Sequence, residues 1–232
     1  MAKTTTVATL GAALAERGER VLLVDLDPQA CLTFALGIDP EELPHSVTQV
    51  LGGDTTVADT VSTLGDNLDL LPSDISLAEV VLPTAAVVRD ALRPVAGRYG
   101  WILLDAPPTL SELTVNALVA AKEVLIPLQC ETLSHRGLGQ LLDTIHDVRQ
   151  SLNQRLKILG VLPTMYDART SHAKAVKADV AERYELPVLE PPIPRSVRFA
   201  EAPAHGRTIL DTARRSRGAQ AYRELAAALS AT

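Results

Sequence analysis

Two short runs, Val21-Leu22-Leu23-Val24-Asp25 and Trp101-Ile102-Leu103-Leu104-Asp105, constrain the fold more than any other feature. Each is continuously apolar, and each ends on an aspartate. An uninterrupted apolar run of this length fits a strand covered on both faces, as in a parallel sheet between two layers of helix. A carboxylate ending such a strand costs burial energy unless water, a partner or a cation receives it. Ligands of open α/β sheets collect at the carboxyl ends of the strands. The pattern therefore sets an architecture and a place to look for chemistry.

The intervening sequence supplies the helices. Residues 7–18 read as one helix, rich in Ala and Leu and closed by Gly18. Further helices are expected at 46–51, 87–99, 111–121, 138–152, 171–184 and 218–230. Further strands are expected at 68–71, 124–128 and 156–162, with a short one at 188–189 running into Pro191-Pro192-Ile193-Pro194. Strands alternating with helices predict an α/β fold, a mostly parallel sheet flanked by helices on both faces. At 232 residues the chain suits one domain, 1–232. Aromatic residues make up only 3%, so the core must be aliphatic.

Three strand ends carry distinctive residues: Asp25-Leu26-Asp27, Asp105 before Ala106-Pro107-Pro108, and Gln129-Cys130-Glu131. Upstream, Lys3 and Thr4 stand at a helix start. A lysine and a threonine there, followed by carboxylates at the ends of the next strands, is the arrangement that holds a nucleoside triphosphate and magnesium. The ammonium serves phosphate oxygens, the hydroxyl serves the metal, and the free amides of the first turn add a positive pole. Hard oxygen ligands suit magnesium. The same aspartates also serve as turn and helix caps in many proteins, so both roles stay open for Asp27 and Asp105 at this point.

The runs Lys3-Thr4-Thr5-Thr6, Val21 to Gln29, Leu103-Leu104-Asp105-Ala106-Pro107-Pro108, and 191–206 together resemble the ParA/Soj partition ATPases, of the deviant Walker P-loop group that includes MinD. The resemblance covers essentially the whole chain. It implies ATP and Mg2+ as cofactors, an ATP-dependent homodimer, non-specific DNA binding and a stimulating ParB-like centromere-binding protein. It implies that Lys3 is the phosphate-loop lysine, that Thr4 ligates magnesium and that Thr5 lies beside the α-phosphate. It makes Asp27 the residue that orients the attacking water and Asp105 the Walker B acid. It packs the adenine against Pro192, Ile193 and Pro194. The family loop, however, carries two glycines and a further lysine ahead of Lys3, and a strand ahead of those. Here Met1 stands where the family has valine. Ala2 and Ala30 replace glycines, and a positive φ at Ala2 would be strained. The expectation is that the first central strand is missing from this sequence and that the natural chain begins further upstream. Without that strand, weak ATPase activity and poor stability are expected.

Charge adds one more expectation. The chain is acidic, at −6, yet seven arginines between Arg195 and Arg223 meet only Glu201 and Asp211 there. Such a basic region suits phosphates or an acidic partner, and a solvated helix face is the plainer alternative. Within the resemblance, Arg207, Arg214, Arg215 and Arg217 become candidate contacts to DNA. The tail from Glu224 lacks lysine and has two leucines, which disfavours a membrane-cycling, MinD-like role. A non-hydrolysing interaction protein is the alternative from another class. Cys31 and Cys130 have no metal-type spacing, and neither an apolar leader nor a spanning run is visible. A cytoplasmic, nucleoid-associated protein is expected.

Overall fold

The computed structural model describes residues 2–130 and 134–231. Helix α1 (Ala2–Glu16) leads through a turn into strand β1 (Val21–Asp25). All five β1 residues are inaccessible to solvent. The strand runs parallel to β3 (Leu68–Leu71) on one side and to β4 (Trp101–Asp105) on the other. Asp25 pairs with Asp105 across the β1–β4 ladder, so the two carboxylates leave the sheet side by side. β2 (Ser62–Gly65) adds an antiparallel edge to β3, giving the order β2-β3-β1-β4. β5 (Glu123–Gln129) and β6 (Lys157–Thr164) form a second, parallel pair. Among the described residues β4 pairs only with β1, and β5 only with β6.

Successive side chains of a strand point to opposite faces, and β1 uses both. Val21 and Leu23 enter a core with α1 and with α11 (Arg217–Leu229). Leu22 and Val24 enter a second core with α3 (Val47–Gly52), α5 (Val87–Leu92) and α6 (Glu112–Ala120). A third core joins β5 and β6 to α7 (Ser134–Ser151) and α8 (Ser171–Tyr184). The remaining helices are short: α2 (Cys31–Ala35), α4 (Val57–Thr60), α9 (Arg198–Glu201) and α10 (Ile209–Thr212). The layered α/β architecture expected from the sequence is therefore present.

Helix α1 packs against β1, β3, β4 and β5, and so bears on both sheets. Its approach to β1 is close at Gly11, where an added Cβ would stand 2.4 Å from Leu23 Cδ2. On its other side it meets α11, where the Thr6 and Tyr222 hydroxyls share a buried hydrogen bond of 2.9 Å. Tyr222 also meets Phe199 edge-on, with ring centroids 5.9 Å apart.

Three expectations change. The helix expected at 87–99 stops at Leu92, and a 3-10 turn at Ala96–Arg98 follows. Pro94 has no N–H to continue the helical ladder, although Arg93 itself keeps a helical conformation. The strand expected at 188–189 is only an isolated bridge from Val188 to Val161. Ala2 is helical and is not among the residues with positive φ, so the strain expected there does not arise. Ala30 does adopt φ 50°, a conformation that favours glycine. Glu131 lies outside the described residues, as do the side chains of His135, Arg136 and His172.

Candidate functional site

The first turn of α1 carries Lys3, Thr4 and Thr5, all half-buried. The first amides of a helix have no partner within it, so they present a positive pole. This turn faces the carboxyl ends of β1 and β4. Burial pushes the Asp105 carboxyl up to about 7. Thr4, which pulls in the opposite direction, lies against it. The charges of Asp25 and Asp27 raise it further, while that of Lys3 lowers it. Lys3, Thr4, Asp27 and Asp105, separated by up to a hundred residues in sequence, thus share one electrostatic site. Cys31, exposed at the start of α2, borders it. Burial, then the charges of Asp27, Asp25 and Asp105, push its thiol up.

Asp105 is 1% exposed, and neither carboxylate oxygen accepts a hydrogen bond of good geometry. A buried carboxylate left this way is costly. Its neighbour Asp25 is equally buried but well satisfied. Asp25 Oδ2 accepts from the Thr33 amide at 2.9 Å and the Thr33 hydroxyl at 2.8 Å, and Oδ1 accepts from the Asp27 amide at 3.1 Å. Its carboxyl still rises to about 6, because burial outweighs these bonds. The contrast leaves Asp105, not Asp25, as the buried acid whose oxygens lack well-formed hydrogen bonds.

The residues present fit magnesium. Among the described residues no group of three or more His, Cys, Asp or Glu is arranged to hold a metal. One carboxylate beside one hydroxyl instead suits an ion that keeps water and phosphate oxygens for most of its shell. Asp27 is half-buried at the rim. Its Oδ1 accepts from the Gln29 amide at 3.0 Å, so it also organises its own turn.

The proline segment contributes a separate surface. Pro191, Pro192 and Pro194, with Arg217, Gln220, Ala221 and Glu224 of α11, line an open groove of about 250 Å³. Ala221 adjoins Tyr222, whose hydroxyl meets Thr6, three residues beyond Lys3. The groove therefore lies on the helix that braces the phosphate turn. Ile193 differs from its neighbours. It is 3% exposed, its side chain is in the core, and its amide donates to the Pro163 carbonyl at 2.8 Å. It anchors the segment and does not line the groove.

Of the basic residues, Arg207, Arg214, Arg215 and Arg217 are exposed. Arg198 is instead bound to Glu201 at 2.8 Å, and Arg223 to Glu16 at 2.6 Å. Of the seven arginines from Arg195 to Arg223, Arg195 is exposed as well, and only Arg198 and Arg223 are engaged in these ion pairs. No helix among the described residues is long and apolar enough to cross a membrane.

Sequence reasoning missed two residues of the Asp27 loop, Thr33 and Ser73. Both are fully buried, and no local motif marks either one.

Several known proteins are similar to this chain. A family model described as an AAA domain matches residues 1–158. The sporulation initiation inhibitor protein Soj of Bacillus subtilis is 44% identical over 99% of this chain and 93% of its own length. The chromosome partitioning protein ParA of Caulobacter vibrioides is 43% identical over 97% of this chain and 87% of its own. Among solved structures, a Mycobacterium smegmatis protein named cobyrinic acid a,c-diamide synthase, with bound ADP and magnesium, superposes with a TM-score of 0.87. It is 50% identical, over 99% of this chain and 89% of that one. The cell division ATPase MinD of Pyrococcus furiosus gives 0.80 at 27% identity, over 99% and 93%. The family match over most of the chain and the near-complete alignment with Soj and ParA settle its kinship: the chain belongs to the ParA/Soj family of ATPases.

Proposed function

We propose that this protein is an ATP- and magnesium-dependent partition ATPase that dimerises with nucleotide bound and then holds DNA without sequence preference. The observation that carries this is Asp105, a buried carboxylate whose oxygens accept no hydrogen bond of good geometry, with the Thr4 hydroxyl against it and within the field of Lys3. The relatives named for chromosome partitioning support the biological role. The relative with bound ADP and magnesium supports the cofactors.

Each residue has a part. Lys3 and the amides of the first α1 turn bind the β- and γ-phosphates, and Thr5 lies beside the α-phosphate. Thr4 and Asp105 hold magnesium, which when bound neutralises charge on the phosphates. Asp27 orients water for in-line attack. Phosphoryl transfer asks for little beyond such positioning and electrostatics. Pro192 and Pro194 supply an apolar wall for the base. Arg207, Arg214, Arg215 and Arg217 meet DNA phosphates, and a ParB-like partner accelerates turnover.

The test is a paired measurement of ATP hydrolysis and DNA binding. Turnover is expected to need magnesium and to rise with DNA and a ParB-like protein. DNA affinity is expected to need ATP and to fall steeply with salt. Magnesium-independent nucleotide binding, or DNA binding insensitive to salt, would reject the reading. The synthase name carried by the Mycobacterium relative predicts another outcome: ATP turnover that depends on a carboxylic acid substrate and a nitrogen donor, and is indifferent to DNA.

A further inference from the structure

We infer that Thr33 and Ser73 are positioning residues, which together with the buried Asp25 hold the loop that presents Asp27. Asp25, Thr33 and Ser73 are all 0% exposed. They form one continuous chain of hydrogen bonds across three separate segments. Asp25, at the end of β1, accepts from the Thr33 amide at 2.9 Å and its hydroxyl at 2.8 Å. The Thr33 hydroxyl in turn accepts from the Ser73 amide, just beyond β3, at 2.9 Å. The Ser73 hydroxyl donates to the main-chain carbonyl of Asp27 at 3.0 Å, and lies 3.5 Å from the Asp74 carbonyl. The Asp27 amide closes the circuit onto Asp25 Oδ1 at 3.1 Å.

The Asp27 amide is therefore held by the Asp25 side chain, and its carbonyl by the Ser73 hydroxyl together with the Ala30 amide of its own turn at 2.8 Å. Its carboxylate is left at the rim. Of the two buried hydroxyls, that of Ser73 is spent on the loop directly and that of Thr33 on Asp25 and the Ser73 amide, the two groups that hold that loop. A buried, fully satisfied polar network rigidifies what it touches, and losing one member leaves its partners unpaired. The loop also contains Ala30 in a left-handed conformation, so it is held in a shape that its own sequence does not favour. The inference rests on the proposed role of Asp27 in orienting water.

The experiment compares Ser73→Ala, Thr33→Val and the conservative Thr33→Ser in the full chain. A remote control is Asn153→Ala, which removes a side chain that caps the carbonyls of Leu118 and Ala121 at the end of α6. Misplacing a water-orienting group by about 1 Å costs on the order of a hundredfold in rate. Ser73→Ala and Thr33→Val are expected to lower kcat by roughly ten- to a hundredfold, with ATP affinity within about threefold. Thr33→Ser keeps both the acceptor and the donor, and is expected to restore most of kcat. Asn153→Ala is expected to lower the melting temperature with kcat unchanged. A kcat that survives Ser73→Ala and Thr33→Val overturns the inference. So does a loss that Thr33→Ser fails to restore. Hydrogen exchange of the ligand-free protein decides independently of turnover. The amides of Leu26 to Gln29 are expected to exchange faster in Ser73→Ala while those of Leu22 to Val24 stay protected, and equal exchange overturns the inference. A wild-type chain that binds no ATP would sink the proposed function and leave the exchange result to judge the loop.

Discussion

Replacing Asp105 with asparagine should stabilise the ligand-free protein, and by an amount that depends on pH. Burial holds this carboxyl at about 7, against 3.8 for a solvated one. That gap of roughly three pH units, at about 1.4 kcal/mol each, corresponds to roughly 4 kcal/mol. The sign follows from proton counting. Between the two values the folded state binds more protons than the unfolded state, so stability falls as pH rises from about 4 to about 7. At pH 8 the folded protein carries nearly the whole penalty, about 4 kcal/mol. At pH 5 it carries under about 2 kcal/mol, and at pH 4 about half a kcal/mol. Asparagine keeps the shape and removes the charge, but it still buries a polar group, so the gain in stability is bounded above by these figures. Urea unfolding of both proteins without nucleotide, at pH 8 and pH 5, measures it. Asp25 also titrates abnormally and its charge acts on Asp105, so the difference reports the pair rather than Asp105 alone. The variant should gain nothing from magnesium and ATP, whereas the wild type should gain stability by mass action. A variant less stable than wild type at pH 8, or a gain equal at the two pH values, would refute the account of Asp105 as an acid stored without its cation.

Three further outcomes follow from the geometry. Tyr222→Phe strands the buried Thr6 hydroxyl and is expected to cost about 1–2 kcal/mol by denaturant unfolding. Gly11→Ala sets two effects against each other. Alanine favours the helix by about 1 kcal/mol, but its methyl meets Leu23, which is fully buried, and overpacking costs about 1–3 kcal/mol. A net loss of up to about 2 kcal/mol is expected, and a more stable variant would contradict the close packing of α1 on β1. Arg214→Ala is expected to weaken DNA binding alike for all sequences and to lower the slope of log affinity against log salt by about one. An unchanged slope would remove that arginine from the interface.

What was legible in the sequence divides along physical lines. Strand β1 was plain because burial on both faces demands an unbroken apolar run, and β4 carries the same run although residues 101–104 are only half-buried. β2 was not, because Ser62-Thr63-Leu64-Gly65 is an edge with alternating exposure and no apolar signature. The break at Pro94 is the kind that sequence can show, because proline has no N–H with which to extend a helix. At the site, Lys3, Thr4, Asp27 and Asp105 were legible through their motifs, and the structure brings them together. Ile193 was grouped with its prolines because one run held all three, and only the fold shows its side chain turning inward. Thr33 and Ser73 were invisible because their bond joins residues 40 apart by a hydroxyl and an amide. Neither residue type nor spacing encodes such a contact.

The aspartates at the ends of β1 and β4 show how one environment yields two functions. They occupy matched register positions on adjacent parallel strands and are equally hidden from water. Burial raises both, yet Asp25 reaches only about 6 while Asp105 reaches about 7. Three hydrogen bonds make the difference at Asp25, and they tie it to the loop that follows its own strand. Asp105 is followed by Ala106, Pro107 and Pro108, and the two prolines have no N–H with which to return the same service. The local sequence after each strand thus decides which carboxylate is spent on the fold and which stays available. The Asp-Leu-Asp-Pro-Gln turn uses its first acid as a brace, so that its second stands at the rim. The Asp-Ala-Pro-Pro turn deprives its acid of that brace, and under the proposed function the cost would be recovered when a cation binds beside Thr4. On this view Asp25→Asn should release the Asp27 loop, because its amide nitrogen cannot accept both Thr33 bonds. It should therefore lose turnover together with stability. Asp105→Asn should lose turnover while gaining stability. Opposite signs of stability change at paired positions are what distinguish a structural acid from a stored one.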